Sequence, residues 1–308
     1  MTIARRHHYV PQGYLAAFTN NGTKDGQFNV MDVDSGDTFR TSPKNVALAR
    51  DFNRVDIDGQ AIDALESSLS SFETLAVGAI RKVLSSRTFP DSTGRNVILN
   101  LLGLIAVRNP RRRQSFNQAR EHTLNMIGDL LVSDRGVFEH HIRRAAEAGD
   151  ISDTNVSFER LKKFVEERQY TIEFLPQENS RIEFAAFDEL LPLLGQRTWS
   201  LFIAPSGGPE FICSDHPVAL TWKAGNRGPL GFALRRTEVF FPLGRHVGIY
   251  GTFEDPKLPE VNLKPIGVAA MNTRVAMHSE RYVFSAQECF VVLHEGHARE
   301  VVCSYDKR

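Results

Sequence analysis

The sequence predicts an α+β protein: a central helical block packed on a mostly antiparallel C-terminal sheet, with an N-terminal β-hairpin. Three observations predict it. Near the start, apolar residues alternate on either side of a Gly-containing turn. Through the middle the apolar period lengthens to helical spacing. From Trp199 it shortens again to strand spacing punctuated by Gly and Pro. Strands, then helices, then strands is not the rhythm of a parallel α/β sheet, so a Rossmann-type arrangement is disfavoured. The expected organisation is a single α+β domain over residues 1–308, extended with a hairpin over 1–60, helical over 61–196 and strand-rich over 197–308.

The elements follow in order. Gln27–Val33 alternates, Asp34-Ser35-Gly36-Asp37 turns, and Thr38–Thr41 resumes, which is a hairpin signal. This hairpin is a candidate to join the C-terminal strands. From Ala61, apolar residues fall at Ile62, Leu65, Leu69, Phe72, Leu75, Ala76, Ala79, Ile80 and Val83, a helical stripe. Pro90-Asp91-Ser92 ends it and offers a cap for the next helix. Residues 93–132 read as one or two helices divided near Asn109-Pro110, the second with Phe116, Leu124, Ile127, Leu130 and Leu131 on one face. A charged helix runs through Phe158, Leu161, Phe164 and Val165, and a shorter one spans about Phe184 to Leu194. Strands are expected at Trp199–Ala204, Phe211–Cys213, Glu238–Phe241, Val247–Tyr250 and Cys289–Leu293.

Composition narrows the function classes. The 308 residues are 42% hydrophobic, and 37 Lys+Arg balance 37 Asp+Glu, so neither wholesale disorder nor a globally basic nucleic-acid binder fits. Arg5 and Arg6 are not followed by an apolar run, so the N-terminus does not read as a signal peptide. The apolar stretch Val97–Val107 falls short of the roughly 20 residues that a membrane span needs. Three cysteines without CxxC spacing argue against a disulfide scaffold and for a cytoplasmic location.

Three polar strings stand out. His7-His8 places two imidazoles on opposite faces of an extended segment, one free to serve a site while the other pins the backbone. Gln12, approached through rigid Pro11, would add an amide to the same site. Arg108, Arg111 and Arg112 follow an apolar helix and, if that helix continues, share a face suited to phosphate oxygens. The bland alternative is a solvated helix end. Ser214-Asp215-His216-Pro217 follows a short apolar strand, so Asp215 is either an acid–base or orienting group, or the anchor of an Asx-type turn. His294-Glu295-Gly296-His297 misses the zincin spacing by one residue, and Arg135 with His140 matches only a short, common pattern.

The string Arg6-His7-His8-Tyr9-Val10-Pro11-Gln12-Gly13-Tyr14-Leu15, closing on Phe18-Thr19, resembles the opening of a bacterial family known as domain of unknown function 4238. Lys44-Asn45-Val46-Ala47, Asp51-Phe52-Asn53, the helix through Glu66 and Glu73, Arg108–Arg112, Phe211–Pro217, Phe241-Pro242-Leu243, and Asn272 before Arg281–Ser285 continue the likeness in order. The resemblance implies a shared fold over nearly the whole chain and carries no activity with it.

The co-occurring groups suggest a hydrolase, nuclease-like or phosphoesterase-like, acting on a phosphate-bearing substrate. His7, His8 and Asp215 are its expected catalytic groups, and Gln12, Arg108, Arg111, Arg112 and Asn272 its expected substrate ligands. Nucleic acid or a nucleotide is the expected partner, a membrane is not, and a divalent metal stays open as cofactor. The alternative is a non-catalytic module that binds an anion or a protein, with a bacterial defence role open to it.

Overall fold

The computed structural model describes residues 6–55, 59, 61–151, 157–223, 228–254 and 258–294, and the backbone alone of 297–302. Two compact units emerge, one formed by residues 1–110 with 176–308 and the other by residues 111–175.

In the larger unit, β1 (Arg6–His8), α1 (Gln12–Leu15), β2 (Phe28–Asp32), β3 (Thr38–Thr41) and β4 (Leu48–Arg50) precede the helices α2 (Ala64–Ser86) and α3 (Ser92–Val107). Asp91 caps α3 by accepting the Gly94 N–H at 2.7 Å, as the Pro-Asp-Ser string predicts. The chain then enters α4 (Pro110–Leu131), α5 (Arg135–Ala148) and α6 (Phe158–Glu166) before returning through α7 (Pro176–Gly195). The strand-rich part comprises β5 (Thr198–Ile203), β6 (Cys213–Ser214), β7 (Ala219–Trp222), β8 (Thr237–Gly244), β9 (Val247–Thr252), β10 (Glu260–Asn262), α8 (Pro265–His278), β11 (Tyr282–Ser285), β12 (Cys289–His294) and β13 (His297–Val302).

The α+β class holds. Five strands in the order β10-β5-β9-β8-β7 form one sheet, antiparallel except for the β10–β5 pair. The N-terminal hairpin does join the C-terminal strands, in a sheet of order β3-β2-β11-β6. Strand alternation then builds two cores. Val239, Phe241 and Leu243 of β8 pack with α1, α2, α3 and α7, whereas Phe240 faces the α8 side with Met271 and Val275. The strand-rich C-terminal part also contains a helix that the sequence reading did not place there, and this α8 covers the second face. Its buried Val268, Met271, Asn272 and Val275 keep helical spacing. Two glycines of β9 make room for rings: a Cβ at Gly248 would lie 2.6 Å from Phe240, and one at Gly251 2.7 Å from Trp199.

The N-terminal string is packed into the first core. Val10, Tyr14, Leu15 and Phe18 are fully buried, and Tyr14 stacks on Phe241 at 5.1 Å. The Tyr14 hydroxyl donates to the Pro242 carbonyl at 2.6 Å. In the smaller unit, α5 is capped by Asp134 and α6 by Ser157, and Arg168 pairs with Asp129 at 2.6 Å. Leu124, Ile127 and Leu130 of α4 remain exposed. No described helix is long and apolar enough to cross a membrane.

Tyr14→Phe keeps the ring but strands a buried carbonyl. It should cost about 1–3 kcal/mol, read as a lower urea midpoint with an unchanged slope.

Candidate functional site

The site is organised by Arg108. Pro110 disfavours helical backbone at Asn109, so α3 stops and Arg108 leaves it with φ −100° and ψ 87°. The turn swings the side chain inward, where the residue is only 5% exposed. Its guanidinium donates to the Asn53 amide oxygen, and its Nε lies 3.6 Å from the Glu183 carboxylate. The rings of Phe52 and Phe184 stand 5.5 and 5.7 Å from its carbon centre. Asn53 continues the chain of bonds. Its side-chain N–H donates to Glu66, and its backbone N–H donates to His7 Nδ1 at 2.8 Å. That bond requires an unprotonated Nδ1 on His7.

Strand β1 pairs with β4 and so sends the two imidazoles to opposite sides, as alternation predicts. His7 is buried against Asn53. His8 instead lines a cavity with Tyr9, Phe72 and Glu73, closed by Leu101 and Leu104 of α3 and by Arg108. The space is about 10 Å³, room for one water. His8 Nδ1 is buried and has no hydrogen-bond partner among the described residues. Burial lowers the His8 pKa, against the raising effects of Glu66 and a bond to the Val46 backbone. Glu73 moves oppositely. Burial, then repulsion from Glu66, pushes its carboxyl up to about 7, while Arg108 and Lys24 pull it down. Lys24 and Arg6, which do not line the cavity, also lower the His8 pKa through their charge.

The expected groups thus converge only in part. His8 and Arg108 share the cavity, and His7 reaches it through Asn53. Asp215 does not line it. Its Oδ1 accepts the Glu280 N–H at 2.8 Å, and its Oδ2 accepts those of Arg281 and Tyr282 at 2.9 and 3.0 Å. Burial pushes the Asp215 pKa up to about 6 against these three bonds. Tyr9 links the two regions: it lines the cavity, and its pKa is raised by burial and then by Asp215. Asn272, expected as a substrate ligand, does not line the cavity either. Its Oδ1 accepts from Ile212 N–H, and its amide nitrogen donates to the carbonyls of Glu210 and Val291. Arg111 and Arg112 lie in α4 and in the smaller unit, on a different helix from Arg108, because the break before Pro110 ends the shared face. Gln12 opens α1, half-buried, and does not line the cavity. Around the weaker signals, Arg135 pairs with Glu159, His294 pairs with His297 in a β-ribbon, and Glu295 and Gly296 lie outside the described residues.

Sequence reasoning singled out neither Asn53, Glu66, Glu73 and Glu183 as site residues nor Lys24. Glu66 and Glu73 carried a readable signal, two carboxylates seven residues apart beside the apolar stripe of α2. Among the described residues, no group of three His, Cys, Asp or Glu side chains is placed to hold a metal ion.

Fold and cavity together define an α+β protein whose N-terminal strand, two helices and a buried arginine enclose an imidazole and a carboxyl group. The chain belongs to the family described as Protein of unknown function (DUF4238), whose model matches residues 6–288. No curated protein and no solved structure matches it.

Two measurements check these roles. Asp215→Asn turns an acceptor into a donor facing backbone N–H groups, so stability should fall by about 2–4 kcal/mol, one or two unsatisfied donors' worth, read by urea unfolding. A raised carboxyl pKa means that stability is complete below the unfolded value near 4.5 and declines as pH climbs to about 7. Glu73→Gln mimics the protonated form, so it should match the wild type at pH ~4 and exceed it at pH ~8 by on the order of 3 kcal/mol. A variant equally or less stable at the higher pH would contradict the assignment.

Proposed function

We propose that the protein is a bacterial, cytoplasmic hydrolase of phosphate esters, with nucleotides or nucleic acid as its substrate class. The observation that carries this reading is the pairing of His8 and Glu73 in one cavity of single-water size, with their pKa values driven in opposite directions. Near neutral pH, a lowered imidazole is free to take a proton and a raised carboxyl still has one to give, which is the division of labour that acid–base catalysis needs. His8 accepts a proton from the attacking water as its oxygen bonds to phosphorus. Glu73 then donates its proton to the leaving oxygen as the old P–O bond breaks. Lys24 and Arg6 supply positive charge toward the phosphate, while Arg108, committed to Asn53 and Glu183, holds the frame.

A second reading, a non-catalytic module that binds an anion or a protein partner, is favoured by that same commitment of Arg108 and by the small cavity.

The deciding experiment screens nitrophenyl phosphate mono- and diesters, nucleotides, RNA and DNA, with and without divalent metal. Turnover that Glu73→Gln and His8→Ala each reduce by about 10²-fold or more, while Lys24→Ala mainly raises KM, supports the hydrolase. Wild-type inactivity throughout transfers the reading to the module.

A further inference from the structure

A second opening lies at the other end of the α2 stripe. The first turns of α2 and α7 leave a groove of about 420 Å³, within the size range of small-molecule sites. Its walls are apolar, with Val55, Leu65 and Phe184 among them, and Ser68 stands on its α2 side. The two rim charges cancel, since Arg181 pairs with Glu178 at 3.2 Å. Ser180 also lines it, only 4% exposed, and its hydroxyl has no hydrogen-bond partner among the described residues. A mainly apolar wall whose rim charges cancel, with the Ser180 hydroxyl and the Gln177 amide beside it, suits an uncharged ring carrying a polar atom, and it does not suit a phosphate.

The groove and the cavity share no lining residue, but two contacts set them side by side. Leu65 lines the groove and Leu69 the cavity, one helical turn or about 6 Å apart along α2. Phe184 lines the groove while its ring stands 5.7 Å from the guanidinium of Arg108, which closes the cavity.

We propose that this groove binds an uncharged ring of arene or nucleobase size and that the ring, on the hydrolytic reading above, is the organic group of the ester. The probes are 1-naphthol, 1-naphthyl phosphate and methyl phosphate, titrated calorimetrically against the full chain. Ser68 is exposed, and its hydroxyl bonds only the Ala64 carbonyl one turn back, so Ser68→Trp can fill the groove without disturbing the core. Circular dichroism verifies the fold, and Ser68→Ala serves as the control. Naphthol should bind wild type and Glu73→Gln alike and lose about tenfold or more in affinity in Ser68→Trp. Naphthyl phosphate should bind Glu73→Gln more tightly than methyl phosphate does. Absence of saturable naphthol binding, or binding that Ser68→Trp leaves unchanged, overturns the groove. Equal affinities of the two esters for Glu73→Gln overturn the link to the substrate. Naphthol binding without turnover of any ester defeats the hydrolytic reading alone and leaves the groove standing.

Discussion

The larger unit is organised around the buried guanidinium of Arg108. A guanidinium taken out of water is costly unless its donors and its charge are matched, and Arg108 is matched from two separate segments. Asn53 comes from the connection between β4 and α2, Glu183 from α7, and Phe52 and Phe184 from either side. Removing any one partner would leave a charge or an amide unsatisfied in a dry place, so these segments are held to one arrangement. The same bonds reach the cavity. Asn53 holds Glu66 with its side chain and His7 with its backbone, and Glu66 adds to the rise that burial gives the carboxyl of Glu73.

The sheet supplies the platform. Because β8 is buried on both faces, its successive residues must all be apolar or hydrogen-bonded, and its register against β7 and β9 admits little slippage. The N-terminal segment bonds back to this strand through Tyr14 and Pro242, which holds the segment that carries His8. Asp215 performs a comparable task on the other sheet. Its carboxylate gathers the N–H groups that open β11, and β11 joins the N-terminal hairpin to the C-terminal strands. A residue type suited to catalysis is here consumed by the backbone.

How far the sequence was legible follows from the range of the interactions concerned. The hairpin around Gly36, the stripe of α2, the Asp91 cap and the break before Pro110 depend on neighbours within a few residues, and each could be read directly. Helix α8 was missed although Val268, Met271, Asn272 and Val275 have the right period, because it lies among strands and carries Gly267 and β-branched residues. Asp215 and Asn272 look like site residues in one dimension. The partners of Asp215 lie 65 to 67 positions away and those of Asn272 19 to 62 positions away, and only the fold reveals that they are backbone groups.

Charge clusters mislead in the same way. Three arginines within five positions read as a single anion site when the helix is taken to continue. Yet the backbone break that Pro110 imposes gives Arg108 a different fate from Arg111 and Arg112: it is drawn inward while they stay exposed on α4. Once inside, a cation must find anions, and the acidic side chains that answer it, Glu183 and through Asn53 also Glu66, come from distant helices. The bonds that neutralise Arg108 thus reach the edge of the cavity. Glu66 is held as an acceptor on its account, and Glu73, seven residues further along α2, has its pKa pushed up to about 7 by burial first and by repulsion from Glu66 second.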